Sequence, residues 1–382
     1  MPVIDAPAAN VAPPREEYFD NSPTGVEVED NEPNETEPWD PSKIRVHTDH
    51  YSLRHVVDMI TDNDIDLAPD FQRQSVWKPP QRSKLIESLL LGIPLPSFYF
   101  NQDSKGRLQV VDGVQRLSAI YDYVANSKFK LNQLIYLKEC EGHQFDELPS
   151  SLRRRLNASQ FVAHVIDPQT PYQVKFDIFR RINTGGTPLS QQEIRHCMSN
   201  DKSRKFLKEL VSHEEFDHAT GGALRRHPRM ADREVALRFA AFRMFSLDEY
   251  AELGSFEKFL EAATAKLDSS SEEDRKRIRN DFVRGMTNGH AVFGEHAFRK
   301  RPTVEGRKNP INRALFESWG TVLADYNESA VEAAAKRICK LAAHMMTSDE
   351  EFIKSISTST ADIKNVRARF NKVRKLVQEV IP

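Results

Sequence analysis

Between residues 112 and 116 the sequence sets a carboxylate (Asp112), an amide (Gln115) and a guanidinium (Arg116) around Gly113. This set suits phosphate chemistry. A guanidinium forms paired hydrogen bonds to phosphate oxygens and stabilises the charge that develops during phosphoryl transfer. An amide can donate or accept, and so can orient a water or a phosphate oxygen. A carboxylate can hold Mg²⁺ through oxygen coordination. Two readings of Asp112 stand side by side: a Mg²⁺ ligand, or the N-cap of the helix that follows.

The neighbouring sequence shows how the set would be positioned. Leu108 to Val111 are apolar and β-branched, as in a buried strand, and Asp112-Gly113 breaks the run. From Gln115 to Val124 the apolar residues Leu117, Ile120, Tyr121 and Val124 recur at helical spacing. A strand that turns on a glycine into a helix leaves backbone N–H groups and a positive dipole end facing outward, a ready anion site. Arg116, on the first turn, is expected at the surface. Val114 follows a buried strand and is expected to face the core.

Two other stretches could join this site. Gln72 and Arg73 lie in the cluster Pro69-Asp70-Phe71-Gln72-Arg73-Gln74-Ser75-Val76-Trp77. Arg73 is a second candidate phosphate cation, or an arginine stacked within the core; Phe71 and Trp77 read as core. Asn183, Thr184, Gly185 and Gly186 form a loop whose glycines permit close backbone approach to a phosphate or ribose. The same loop also describes a helix end joined to the next helix, since Ser190 and Glu193 have capping-box spacing.

Composition narrows the class. The chain has 382 residues and a net charge of −2, enough length for two cores and no global pull toward nucleic acid or membrane. The opening stretch to about residue 42 is acidic, proline-rich and poor in aliphatics, so the remainder is net basic; it reads as a disordered, solvated tail whose deletion leaves folding untouched. Cys140, Cys197 and Cys339 are sparse and widely spaced, which suits a reducing, cytoplasmic setting and argues against a thiolate zinc site. The sequence offers no apolar run of membrane-spanning length.

The pattern predicts a mixed α+β domain over 43–198 and a helical domain over 199–382. In the first, a strand and helix run from His47 to Asp62, and a helix covers Arg82 to Leu91. Strands are expected at Phe98–Asn101, Leu108–Val111, Leu134–Leu137 and Phe161–Ile166, and helices near Leu152–Leu156 and at Tyr172–Ile182. Val174, Phe176, Ile178 and Phe179 form the buried stripe of the last of these. Beyond residue 200 the periodicity is almost wholly helical.

Four blocks together resemble the DUF262 family: Asp70-Phe71-Gln72-Arg73 with Val76-Trp77, Leu85 to Pro96, Val111 to Leu117, and Phe179 to Ser190. That family forms the N-terminal half of GmrSD-type modification-dependent restriction enzymes and of related phage-defence proteins. The resemblance implies a ParB/sulfiredoxin-like fold that binds and hydrolyses nucleoside triphosphates; the oxygen chemistry of Asp112 makes Mg²⁺ the expected cofactor. The family signature is usually Asp-Gly-Gln-Gln-Arg, and Val114 replaces its first glutamine here. If position 114 faces the phosphates, one amide contact is lost. The restriction relatives cut DNA with an HNH domain, and the late histidines His290, His296 and His344 lack its spacing.

Two further functions compete with a triphosphatase switch. One is a ParB-like DNA-binding module that uses Arg153-Arg154-Arg155, Arg225-Arg226-His227 with Arg229, and the basic run Lys364 to Lys375 that includes Arg367, Arg369, Lys372 and Arg374. The other is a subunit that relies on a separate effector protein.

Overall fold

The computed structural model describes residues 14–29, 40–67, 77–103, 105–182, 189–300 and 308–381. The chain divides into two compact units, residues 37–198 and residues 1–36 with 199–382.

Part of the acidic opening stretch departs from the expected solvated tail. β1 (Glu16–Phe19) and β2 (Ser22–Glu27) form an antiparallel hairpin. Asp20 and Asn21 link them with φ of 49° and 59°. Left-handed backbone at both loop positions matches the right-handed twist of the strands, and Asp and Asn tolerate it best after glycine. The hairpin belongs to the helical unit. Val26 is fully buried in that unit's core, and Glu27 N–H and Ile311 N–H donate to Ile311 O and Gly25 O at 2.9 and 2.8 Å. Its acidity is complemented by the helices instead of by water. Glu17 accepts from Arg313 (2.8 Å), Glu27 from Lys300 (2.6 Å) and Asn312 (3.0 Å), and Glu29 from Arg238 at 2.9 and 2.6 Å.

The other unit is built on a five-stranded mixed sheet. Its chain order is β3 (Val46–Ser52), α1 (Leu53–Thr61), β4 (Ile65–Asp66), α2 (Pro79–Leu91), β5 (Phe98–Gln102), β6 (Leu108–Asp112), α3 (Val114–Val124), α4 (Ser150–Ala158), β7 (Gln160–Ile166), α5 (Tyr172–Ile182) and α6 (Gln191–Met198). The strands lie in the order β3-β7-β5-β6-β4. One face carries Phe98, Phe100, Leu108, Val110, Phe161 and Ala163, buried with Leu53, Ile86, Leu117 and Ile120 of α1, α2 and α3 in a single core. Alternation turns Asn101, Gln109 and Val111 to the other face, where α6 packs against β6. There Asn101 Nδ2–H donates to Gln109 Oε1 at 2.9 Å, a buried polar pair.

Three expectations within this unit need correction. Leu134–Leu137 is no strand. The N–H groups of Ile135, Tyr136 and Leu137 all donate to the buried carboxylate of Glu87 on α2, at 2.7 to 3.1 Å, and so cannot join a ladder. In α5, Phe176 and Ile178 are only half-buried, while Lys175 and Asp177 are buried beside Val174 and Phe179. α2 begins at Pro79, because prolines at its first two positions sacrifice only N–H groups that no helix uses.

The helical unit contains α7 (Asp201–Leu210), α8 (Glu214–Thr220), α9 (Ala231–Met244), α10 (Leu247–Leu253), α11 (Phe256–Ser269), α12 (Glu272–Phe293), α13 (Arg313–Leu323), α14 (Glu328–Ser348), α15 (Glu350–Ser355) and α16 (Ile363–Val380). Phe239, Phe282, Phe316 and Trp319 fill its centre. α12 and α13 cross closely, for a Cβ on Gly285 would lie 2.4 Å from the carbonyl oxygen of Gly320. Among the described residues no helix is long and apolar enough to cross a membrane.

Candidate functional site

β6 reaches the site through a register slip. Phe100 pairs with Val110, but Tyr99 pairs with Asp112, so β6 carries one extra residue at its end. Such a bulge bends the strand and re-aims the side chain that follows it. Gly113 then turns the chain at φ +96° and stands as the N-cap of α3. A Cβ there would lie 2.4 Å from Cδ1 of Phe98, so both backbone conformation and space demand glycine. Asp112 is therefore the last strand residue and not the cap, which removes the capping alternative considered for it.

The carboxylate of Asp112 instead accepts from Arg116 Nη2 at 2.8 Å. Arg116 does not lie on the surface as its first-turn position suggested; its side chain is 13% exposed. It donates to the carbonyls of Pro96 and Ser97, the latter at 3.2 Å, and its guanidinium carbon sits 4.4 Å from the centre of the Phe98 ring. Burial pulls the guanidinium down from its ordinary pKa, and the adjacent Asp112 carboxylate opposes that shift. Arg116 thus ties the start of α3 to the Pro96–Ser97 turn ahead of β5. A hydrophobic stripe could not have revealed this, because the partners are backbone carbonyls twenty residues earlier.

Gln115 is half-buried, and its side chain makes no hydrogen bond among the described residues. Leu117 is the first residue of α3 whose N–H bonds within the helix, to Gly113 O at 2.9 Å, so the N–H groups of Val114 to Arg116 remain at the open end. Val114 is partly buried and packs against the sheet unit's core, the orientation expected for it. Gln72, Arg73, Asn183, Thr184, Gly185 and Gly186 lie outside the described residues, as does Phe71. Trp77 packs against the sheet unit's core. Ser190 and Glu193 form the expected capping box, with Ser190 N–H donating to Glu193 at 2.6 Å and Glu193 N–H to Ser190 Oγ at 3.1 Å.

The site's core is a strand end, a left-handed glycine, an open helix N-terminus and an exposed carboxylate paired with a largely buried guanidinium. Residues 53–198 match the family model described as GmrSD restriction endonuclease, N-terminal domain. The match lies within the sheet unit. The match opens at the first residue of α1 and closes at the last residue of α6, where the sheet unit itself ends. The helical unit lies beyond it. No curated protein matches the chain significantly.

The basic stretches behave unevenly. Arg369 is 1% exposed and pairs with buried Glu317, so it belongs to the interior and not to a surface patch. Arg367 bonds Asp248 at 2.6 Å, Lys372 bonds Asp349 and Glu351, and Arg225 bonds Asp217 at 2.7 Å. No group of three or more His, Cys, Asp or Glu side chains suited to a metal occurs among the described residues.

Proposed function

We propose that the chain is a nucleoside-triphosphate-binding switch of a DNA-restriction or phage-defence system. The observation that carries this reading is the coincidence of the restriction-type domain over 53–198 with a strand–glycine–helix phosphate geometry at Asp112–Arg116. The triphosphate meets the open N–H groups at the start of α3 and the amide of Gln115. Arg116 acts mainly by fixing that end in place, since its donors already serve Asp112, Pro96 and Ser97. The Oδ1 atom of Asp112 makes no hydrogen bond among the described residues, and the side chain is 38% exposed. Mg²⁺ would be held there by this single carboxylate, with phosphate oxygens and waters completing its shell. The ion would supply charge neutralisation between phosphates. Gln115 would orient the attacking water.

The test is phosphate release from each nucleoside triphosphate with Mg²⁺, with and without DNA, beside a melting curve. Ligand that binds the native state raises Tm by mass action. A flat Tm and no phosphate release for every nucleotide overturns the proposal.

A further inference from the structure

On the sheet face that bears Asn101 and Gln109, the next outward-facing row along the strands holds three polar or aromatic side chains. Thr48, His164 and Tyr99 are register partners across β3, β7 and β5, and Tyr99 is in turn the partner of Asp112 on β6. The rings of Tyr99 and His164 lie 4.8 Å apart between centres, tilted by 37°. Thr48 Oγ1 and His164 Nδ1 are 3.0 Å apart, which fixes the imidazole plane. Tyr99 and His164 are half-exposed and Thr48 is exposed. Neither the Tyr99 hydroxyl nor His164 Nε2 has a hydrogen-bond partner among the described residues.

We infer that the Tyr99–His164 ledge, oriented by Thr48, receives the base of the nucleotide whose phosphates lie at Asp112 and the start of α3. The inference rests on the phosphate site proposed above. Three features favour a nucleobase as the occupant. The rings offer stacking surface, which any base can use. Their free hydroxyl and imidazole nitrogen offer a donor and an acceptor, as the edge of a heterocycle requires. The register row leads to Asp112 in one strand step from Tyr99 and two from His164, roughly 5 and 10 Å at the usual strand spacing, the scale of a ribose with its phosphates.

The experiment is calorimetric titration of the full chain with ATP, CTP and inorganic tripolyphosphate, each with Mg²⁺, for the wild type, Tyr99→Leu and Thr48→Val. In the wild type ATP should bind more tightly than tripolyphosphate, and more tightly than CTP because a purine stacks over more area. Tyr99→Leu should weaken ATP roughly tenfold, the order of one lost base–aromatic stack, while tripolyphosphate affinity stays unchanged. Thr48→Val leaves both rings in place and should weaken ATP severalfold, again without effect on tripolyphosphate; it carries the test if Tyr99→Leu fails to fold. If tripolyphosphate binds the wild type as tightly as either nucleotide, or if Tyr99→Leu or Thr48→Val weakens tripolyphosphate as much as ATP, the ledge is not a base platform while the phosphate site survives. If neither tripolyphosphate nor either nucleotide binds the wild type, the phosphate site falls, and the ledge with it.

Discussion

Gly113 concentrates two constraints at one position. Gly113→Ala must adopt φ +96° and place a methyl 2.4 Å from Phe98, so we expect a loss of roughly 2–4 kcal/mol by urea unfolding. A loss below about 0.5 kcal/mol would show that the strand–helix turn relaxes freely. Its neighbour Val114 packs against the sheet unit's core, so Val114→Gln should bury an amide at a cost of roughly 1–3 kcal/mol and leave any triphosphate turnover no faster. A faster and equally stable variant would place position 114 against the phosphates instead. The residue types at this site were legible in the sequence. The inward path of Arg116 was not, because it depends on the carbonyls of Pro96 and Ser97, and periodicity carries no information about backbone acceptors.

Among the elements, α2 shows how a single charge can decide a loop. Glu87 interrupts the apolar stripe Leu85-Ile86-Leu89-Leu90, and its carboxylate holds three successive N–H groups of residues 135–137. Burial alone would raise its pKa, but these hydrogen bonds and Lys138 outweigh it and hold the carboxyl below its usual range. Its stabilising contribution is therefore present above the unfolded carboxyl pKa and fades as pH falls through the folded one. Glu87→Ala should cost roughly 2–4 kcal/mol near neutrality, with the difference from wild type shrinking in acid; a pH-independent difference would refute the charge's role. The apolar segment at Leu134–Leu137 mimicked a strand because its N–H groups are satisfied by a side chain distant in sequence. Helices with long apolar periods were legible, whereas α8, α10 and α15 are too short to complete a convincing stripe.

A second titration bears on the hairpin. Burial, reinforced by Arg313, depresses the pKa of His227 to about 4 from an ordinary 6.5. Its Nδ1 accepts from the N–H groups of Arg229 and Ala231 at 3.2 and 3.3 Å, so the ring is held neutral. Between pH 6.5 and 4 the unfolded chain takes up a proton that the folded chain refuses, and stability is lost as pH falls, by up to about 3 kcal/mol. Asp232, pushed up to about 6, and Glu261, pushed up to about 7, act in the opposite direction. The readout is therefore wild type against His227→Gln, in which these contributions cancel. The stability difference should move in favour of the variant below pH 6.5, and a constant difference from pH 7 to 4 would contradict the assignment.

For the molecule as a whole, the helical unit is assembled from both sides of the sheet unit in sequence. Composition made residues 14–29 look like solvent-loving chain, because composition cannot tell acidity facing water from acidity facing buried arginines. Removing residues 1–29 strips carboxylates from Arg238 and Arg313, both nearly fully buried, and should destabilise the helical unit by roughly 3–5 kcal/mol in calorimetry. A synthetic peptide of residues 14–29 should restore part of the lost Tm. An unchanged melting profile in the truncated chain would return this segment to the status of a solvated leader.

The hairpin also sets a waiting time during synthesis. Asn312 lies 285 residues after the Glu27 that it binds, and Arg238 lies 209 residues after Glu29. At typical elongation rates of ~5–20 residues per second, the first strands spend on the order of 10–60 s outside the ribosome before their binding surface exists. The sheet unit is completed at residue 198, well inside that interval. The hairpin is thus made long before it is secured, and any protease or competing cation that meets the nascent chain has its best opportunity there.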